Sequence, residues 1–188
     1  MARRLLLQQI AGLVAAACTP AWASHGATQR IDDHVAGWQL DSLALTNDRR
    51  QVVTEKLLQG HWNFVLFGSA SRCAEQCVEA LNALVGMHKR IAPSDKIKTT
   101  QLLFVALDTA ADTPERLRAY LAGYDAPIIG YTGTPQMLQR LRDELEIAPD
   151  SRSSLWLIGP DLVVRGEFLP PFDAKLLAAV YLRTRLRG

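Results

Sequence analysis

The stretch Trp62-Asn63-Phe64-Val65-Leu66-Phe67-Gly68, followed after four intervening residues by Cys73-Ala74-Glu75-Gln76-Cys77, decides the architecture of this 188-residue chain. Its apolar run has no alternation that would leave one face wet. It reads as a central strand buried on both sides and closed by the glycine. Ser69 to Gln76 reads as a loop. Ala80, Leu81, Leu84, Val85, Met87, His88 and Ile91 then recur at helical spacing and stop before Pro93. The two cysteines therefore stand at the carboxyl end of a central strand, in the turn that enters a helix.

The flanking sequence repeats this plan. Leu102 to Leu107 predicts a second buried strand, closed by Asp108. Thr113-Pro114-Glu115 supplies a cap, a first-position proline and a first-turn acid, so a helix opens there and runs to about Tyr124. Pro127 to Tyr131 predicts a short strand, and Thr134-Pro135 opens another helix to about Ile147. Leu155–Ile158 and Leu162–Val164 flank Gly159-Pro160-Asp161, which has the chemistry of a hairpin turn. Asp173 to Leu186 predicts a closing amphipathic helix. Upstream, Trp38 to Gln59 reads as short strands and a turn, and Trp38, Trp62 and Trp156 as core aromatics. Strands alternating with helices make an α/β fold, a central mixed sheet flanked by helices on both faces. In open α/β sheets the carboxyl edge of the strands is where ligands bind. Two thiols at that edge make a thioredoxin-like fold the leading architecture, over residues 38–188 as one domain.

Composition narrows the function. Hydrophobic residues are 48% and charged residues 21%, which is a globular balance. A net charge of +2 is too small for a protein that tracks phosphates, so no nucleic-acid partner is expected. No Walker loop, G-x-G-x-x-G, H-E-x-x-H or G-x-S-x-G is present, and nucleotide and hydrolase chemistries have no foothold. Residues 1–23 read as an export signal. Arg3-Arg4 precede a short apolar stretch from Leu5 to Cys18, and Ala21-Trp22-Ala23 is a small-residue cleavage site. Retention as a membrane anchor and lipid attachment at Cys18 are the alternatives. The expected location is the periplasm, with inner-membrane association through the N-terminus if the segment stays. Residues 24–37 read as a flexible lead-in. Removing residues 1–23 takes out two basic residues and no acid, so the remainder is charge-balanced and holds just Cys73 and Cys77.

A domain of this size buries roughly 70% of the surface its unfolded chain exposes and does not need a disulfide to fold. A bridge across five residues also stabilises less than one across a long loop. A purely structural disulfide is the bland reading of C-x-x-x-C, and chemistry is the sharper one. With Cys77 in a first helical turn, the two thiols converge where orphan N–H groups and the helix dipole favour thiolate. Arg72 pushes the same way. Such a pair can exchange with a disulfide or bind a soft metal such as Cu(I).

Gly68-x-x-x-x-Cys73-x-x-x-Cys77, Asp108-x-x-x-Asp112-Thr113-Pro114-Glu115, Gly130-Tyr131-Thr132-Gly133-Thr134-Pro135 and Leu157-Ile158-Gly159-Pro160-Asp161 together resemble the Sco/SenC family. The resemblance covers about Trp38 to Phe168. It implies a thioredoxin fold, an exported location and copper handling during assembly of respiratory cytochrome c oxidase, with an oxidase subunit or another copper or thiol protein as partner. It also implies that Cys73 and Cys77 are the metal ligands and redox pair, with Asp108 beside the site. The family's third ligand, a histidine, does not carry over: Ser151 stands at its place, and Pro149 to Ser154 contains no histidine. His88 lies about 16 Å along its helix from Cys77 at 1.5 Å per residue. His61 starts the strand whose far end bears the cysteines, and His25 and His34 lie in the lead-in. All four read as surface histidines. Two thiolates without the imidazole suit Cu(I) better than Cu(II). Thiol–disulfide exchange, which needs no third ligand, is the alternative activity, and a binding module with a latent disulfide is a third.

Overall fold

The computed structural model describes residues 31–32, 36–40, 42–147 and 153–187. Its strands are β1 (Ile31–Asp32), β2 (Ala44–Asn47), β3 (Val52–Thr54), β4 (Trp62–Gly68), β5 (Thr100–Ala106), β6 (Ile128–Thr132), β7 (Ser154–Ile158) and β8 (Val164–Phe168). The helices are α1 (Glu75–Ile91), α2 (Pro114–Leu121), α3 (Pro135–Glu144) and α4 (Ala174–Arg185). All eight strands join one sheet in the order β1-β8-β7-β4-β5-β6-β2-β3. β4 pairs parallel with β5, and β5 with β6, through the crossovers α1 and α2, while every other pairing is antiparallel. This is the mixed sheet expected. Ile31–Asp32, within the segment read as a lead-in, adds a short edge strand against β8.

β4 is central because six of its seven residues are buried, as the unbroken apolar run required. Its side chains divide alternately between two cores. Trp62, Phe64 and Leu66 face α1, α2 and α4 with Leu81, Leu84, Leu117, Leu177 and Tyr181. Val65 and Phe67 face α3 and the β2–β3 hairpin with Leu45, Leu138, Leu141 and Trp156. The one polar side chain inside β4, Asn63, is fully buried, and its amide donates to the carbonyls of Leu58 and His61 at 2.9 and 2.8 Å. That bond locks the turn entering the strand.

The element ends differ from expectation for local reasons. α1 begins at Glu75, two residues inside the stretch read as loop, and takes in Cys77 in its first turn. Its cap is Ala74, whose side chain offers no acceptor, so the sequence carries no start signal. α3 ends at Glu144, short of Ile147. Glu146 takes a left-handed φ of 49°, and Ile147 N–H returns to the Arg142 carbonyl at 2.9 Å. That is a helix-ending motif normally signalled by glycine, here made by a glutamate. α2 closes at Leu121, with Gly123 and Tyr124 in a turn beyond it. In the last hairpin Leu162 lies in the turn at φ 66°, so β8 starts only at Val164. Thr113 and Thr134 cap α2 and α3 as read, accepting from Arg116 and Met137 N–H, each with proline next in line.

Candidate functional site

Cys73 follows β4 by five residues, and Cys77 is the third residue of α1. The two are joined as a disulfide with their Cα atoms 5.3 Å apart. They are not equivalent. Cys77 is 2% exposed and belongs to the first core, while Cys73 is half-buried and borders it. Gly68 closes β4 beside Cys77: a Cβ there would meet the Cys77 sulfur at 3.7 Å and the Phe104 ring at 3.5 Å, ordinary contact distances.

The loop before Cys73 is held from β5's side. Ala70–Arg72 forms one 3-10 turn. The Asp112 carboxylate, 1% exposed, accepts from Ala70 N–H and Ser71 N–H, both at 2.9 Å. Asp112 N–H in turn donates to the Asp108 carbonyl at 2.9 Å. Asp108 Oδ1 accepts from Ala111 N–H at 3.2 Å, and its Oδ2 accepts from Arg72 Nη2 at 2.7 Å. Asp108 thus pairs with Arg72, the residue before Cys73. That ion pair leaves Arg72 73% exposed and contributes at most about 1 kcal/mol, so its role is to aim the loop.

A residue that sequence reading missed touches the sulfur itself. Tyr120 Oη donates to Cys73 Sγ at 2.8 Å and lies 3.1 Å from Tyr124 Oη. Burial, with Tyr124 and Asp112 nearby, pushes the Tyr120 phenol well above its ordinary value, so it stays a donor. Helical spacing does carry the signal: Leu117, Tyr120 and Leu121 recur at three and four residues, which puts Tyr120 on the inward face of α2, with Tyr124 in the turn just beyond it.

The two described histidines, His61 and His88, do not join the cysteines in a metal-binding group. His61 Nδ1 lies 3.1 Å from the Gln59 carbonyl at the start of β4. His88 sits eleven residues beyond Cys77 on α1, half-buried, with Asp125 close enough to act on it. His25, His34 and Ser151 lie outside the described residues, as do the proposed signal and Cys18. Among the described residues, no group of three or more His, Cys, Asp or Glu could hold one metal ion. Once the disulfide is reduced, the donor set there is two thiolates, which fits a soft, low-coordinate ion such as Cu(I) and does not by itself complete a Cu(II) site.

His88 gives a pH prediction. Burial holds its imidazole below the ordinary value of 6.5, against the opposing pull of Asp125. The unfolded chain then binds the proton more readily than the fold, so stability is full above that value and falls as pH drops through the folded one. Thermal melts at pH 7.5 and 5 should show a smaller acid-induced loss in His88→Gln than in the wild type.

A profile of the SCO1/SenC family matches residues 40–154. The chain belongs to the SCO1/SenC family. A putative copper-binding protein of Stutzerimonas stutzeri is 28% identical over 144 residues, 70% of either chain. The mitochondrial SCO1 homolog of Homo sapiens is 27% identical over 142 residues, 69% of this chain and 46% of that one, so the chain spans under half of that relative. Among solved structures, yeast Sco1 with copper bound superposes at a TM-score of 0.73 and 23% identity, over 82% of this chain and 94% of that one. The thioredoxin domain of a thiol-disulfide oxidoreductase from Bacteroides vulgatus gives 0.61 at 12% identity, over 78% and 96%. At these identities the likeness is one of fold, and the fold is thioredoxin-like. No helix among the described residues is long and apolar enough to cross a membrane.

Proposed function

We propose that this SCO1/SenC member carries copper as Cu(I) on Cys73 and Cys77 and passes it to a cytochrome c oxidase subunit during assembly of the respiratory enzyme. One observation carries the reading: two sulfurs meet at the start of one helix, and among the described residues no third metal-binding group stands with them. Two soft donors without a hard one favour the lower oxidation state. The relatives named as copper-binding, or solved with copper bound, point to the same cargo. Half-buried Cys73 is the side from which a partner's ligand approaches, while Cys77 is covered by the core. Export to the periplasm, and any hold on the membrane through the N-terminus, rest on the reading of residues 1–23.

Thiol–disulfide exchange is the second reading, and the inequality of the cysteines favours it. An accessible attacking thiol backed by a buried resolving one is the layout that exchange requires. It predicts a reduction potential above the structural-disulfide range, which lies below about −300 mV.

The deciding experiment titrates the reduced protein with Cu(I) against a competing chelator, beside the Cys73→Ser/Cys77→Ser double variant. Tight one-to-one binding that the double variant loses is the expected result. Binding no tighter than the variant's would remove copper from the account and leave exchange.

A further inference from the structure

We propose that Tyr120 is a positioning residue of the cysteine pair: its hydroxyl, donating to Cys73 Sγ, biases the pair toward the reduced state. The inference rests on the reading of Cys73 and Cys77 as the working pair, and it adds a residue whose side chain binds no metal and exchanges no electrons.

Geometry fixes the direction of the bonds. A phenol has one proton to give. Tyr120 Oη gives its proton to the sulfur at 2.8 Å, so the 3.1 Å contact with Tyr124 is made by Tyr124 donating to Tyr120 Oη. The chain therefore runs Tyr124 to Tyr120 to Cys73, and each bond polarises the next. The rings hold it in place. Tyr120 lies 6.2 Å from Phe104 and 5.7 Å from Tyr124, centroid to centroid. The same segment anchors the cysteine loop at its other end, where Asp112, one residue before the cap of α2, holds Ala70 and Ser71. A phenylalanine would fill the space of Tyr120 equally well, so the hydroxyl is the part that needs a role.

The role follows from the sulfur's two states. A disulfide sulfur is a neutral, weak acceptor. A reduced sulfur carries more negative charge, as a free or a metal-bound thiolate most of all, and hydrogen bonds to charged acceptors are roughly twice as strong as neutral ones. The Tyr120 bond is thus stronger after reduction, and it displaces the equilibrium by that difference. With glutathione as reductant, two glutathione thiols supply two electrons and two protons. The Cys73–Cys77 S–S bond breaks, two protein thiols form and one glutathione disulfide is released.

The test equilibrates the full-length wild type, Tyr120→Phe and Tyr124→Phe with graded glutathione redox buffers at one pH. Tryptic cleavage after Arg72 and Lys89 isolates both cysteines on one peptide, apart from Cys18. Alkylation and mass measurement then read the state of the pair. Tyr120→Phe is expected to move the equilibrium constant roughly five- to tenfold toward the disulfide, about 20–30 mV for a two-electron couple. Tyr124→Phe should move it the same way by a smaller factor. A Tyr120→Phe constant within twofold of wild type, or displaced toward the dithiol, overturns the inference. A larger effect for Tyr124→Phe overturns the order of the chain.

Cu(I) titration of the same proteins separates this from the reading beneath it. Intact copper binding with an unmoved constant sinks the Tyr120 role alone. A moved constant in a protein that binds no copper sinks the copper reading alone.

Discussion

Asp112→Ala is expected to destabilise the fold by about 1–3 kcal/mol, because two part-buried N–H groups that shared a buried carboxylate lose it at once. Ala70 and Ser71 lie on the loop between β4 and α1, where neither N–H has a helical or strand partner to fall back on. The carboxylate is 1% exposed, so water does not readily replace it. Asp112→Asn keeps one acceptor oxygen and should lose about half as much. Urea unfolding of the reduced proteins checks both, with the midpoint moving and the slope unchanged. The consequence for function is larger than for an ordinary core change, since the loop it releases carries Cys73. Cu(I) affinity in the folded fraction should fall by about 10- to 100-fold, the usual cost of losing a group that orients a ligand. A variant that melts like the wild type would show that the Ala70–Arg72 turn holds itself.

How much of this was open to the sequence depended on where the information lay. β4 was legible because burial on both faces demands an unbroken apolar run, and the cysteines followed from its end. Thr113-Pro114 and Thr134-Pro135 gave helix starts because both capping and the fixed φ of proline act within a few residues. The start of α1 was hidden for the converse reason, since Ala74 caps with backbone alone. The end of α3 was hidden because a glutamate occupies the left-handed position where glycine is the usual sign. At the site, Cys73, Cys77 and Asp108 were found from spacing and resemblance. Asp112 and Tyr120 act across 42 and 47 residues of sequence, through contacts that only the packing of α2 against the cysteine loop creates. Asp112 stood in the quoted block without a role. Its task is visible once the Asp108-x-x-x-Asp112 turn is seen to face the loop after β4.

Cys73→Ser and Cys77→Ser should each cut Cu(I) affinity by more than ~100-fold, since each removes a donor and the loss of an orienting group alone costs ~10–100-fold. Their other effects should diverge, and the divergence tests the roles assigned to the two sulfurs. Both variants lose the disulfide, worth about 2 kcal/mol for so short a loop. Cys77→Ser in addition buries a hydroxyl within the apolar cluster of Ala80, Leu81 and Phe104, and should be less stable than Cys73→Ser by about 1–3 kcal/mol. At position 73 the serine is half-buried, and its oxygen can still accept from Tyr120. Reactivity should run the other way. Cys77→Ser leaves the outward thiol, which should alkylate and form mixed disulfides with glutathione at least about tenfold faster than the inward thiol left by Cys73→Ser. Both rates are read on the peptide between Arg72 and Lys89. If Cys77 proved the faster thiol, an incoming partner would meet α1's first turn before the loop, and the order of transfer proposed for the pair would have to be reversed.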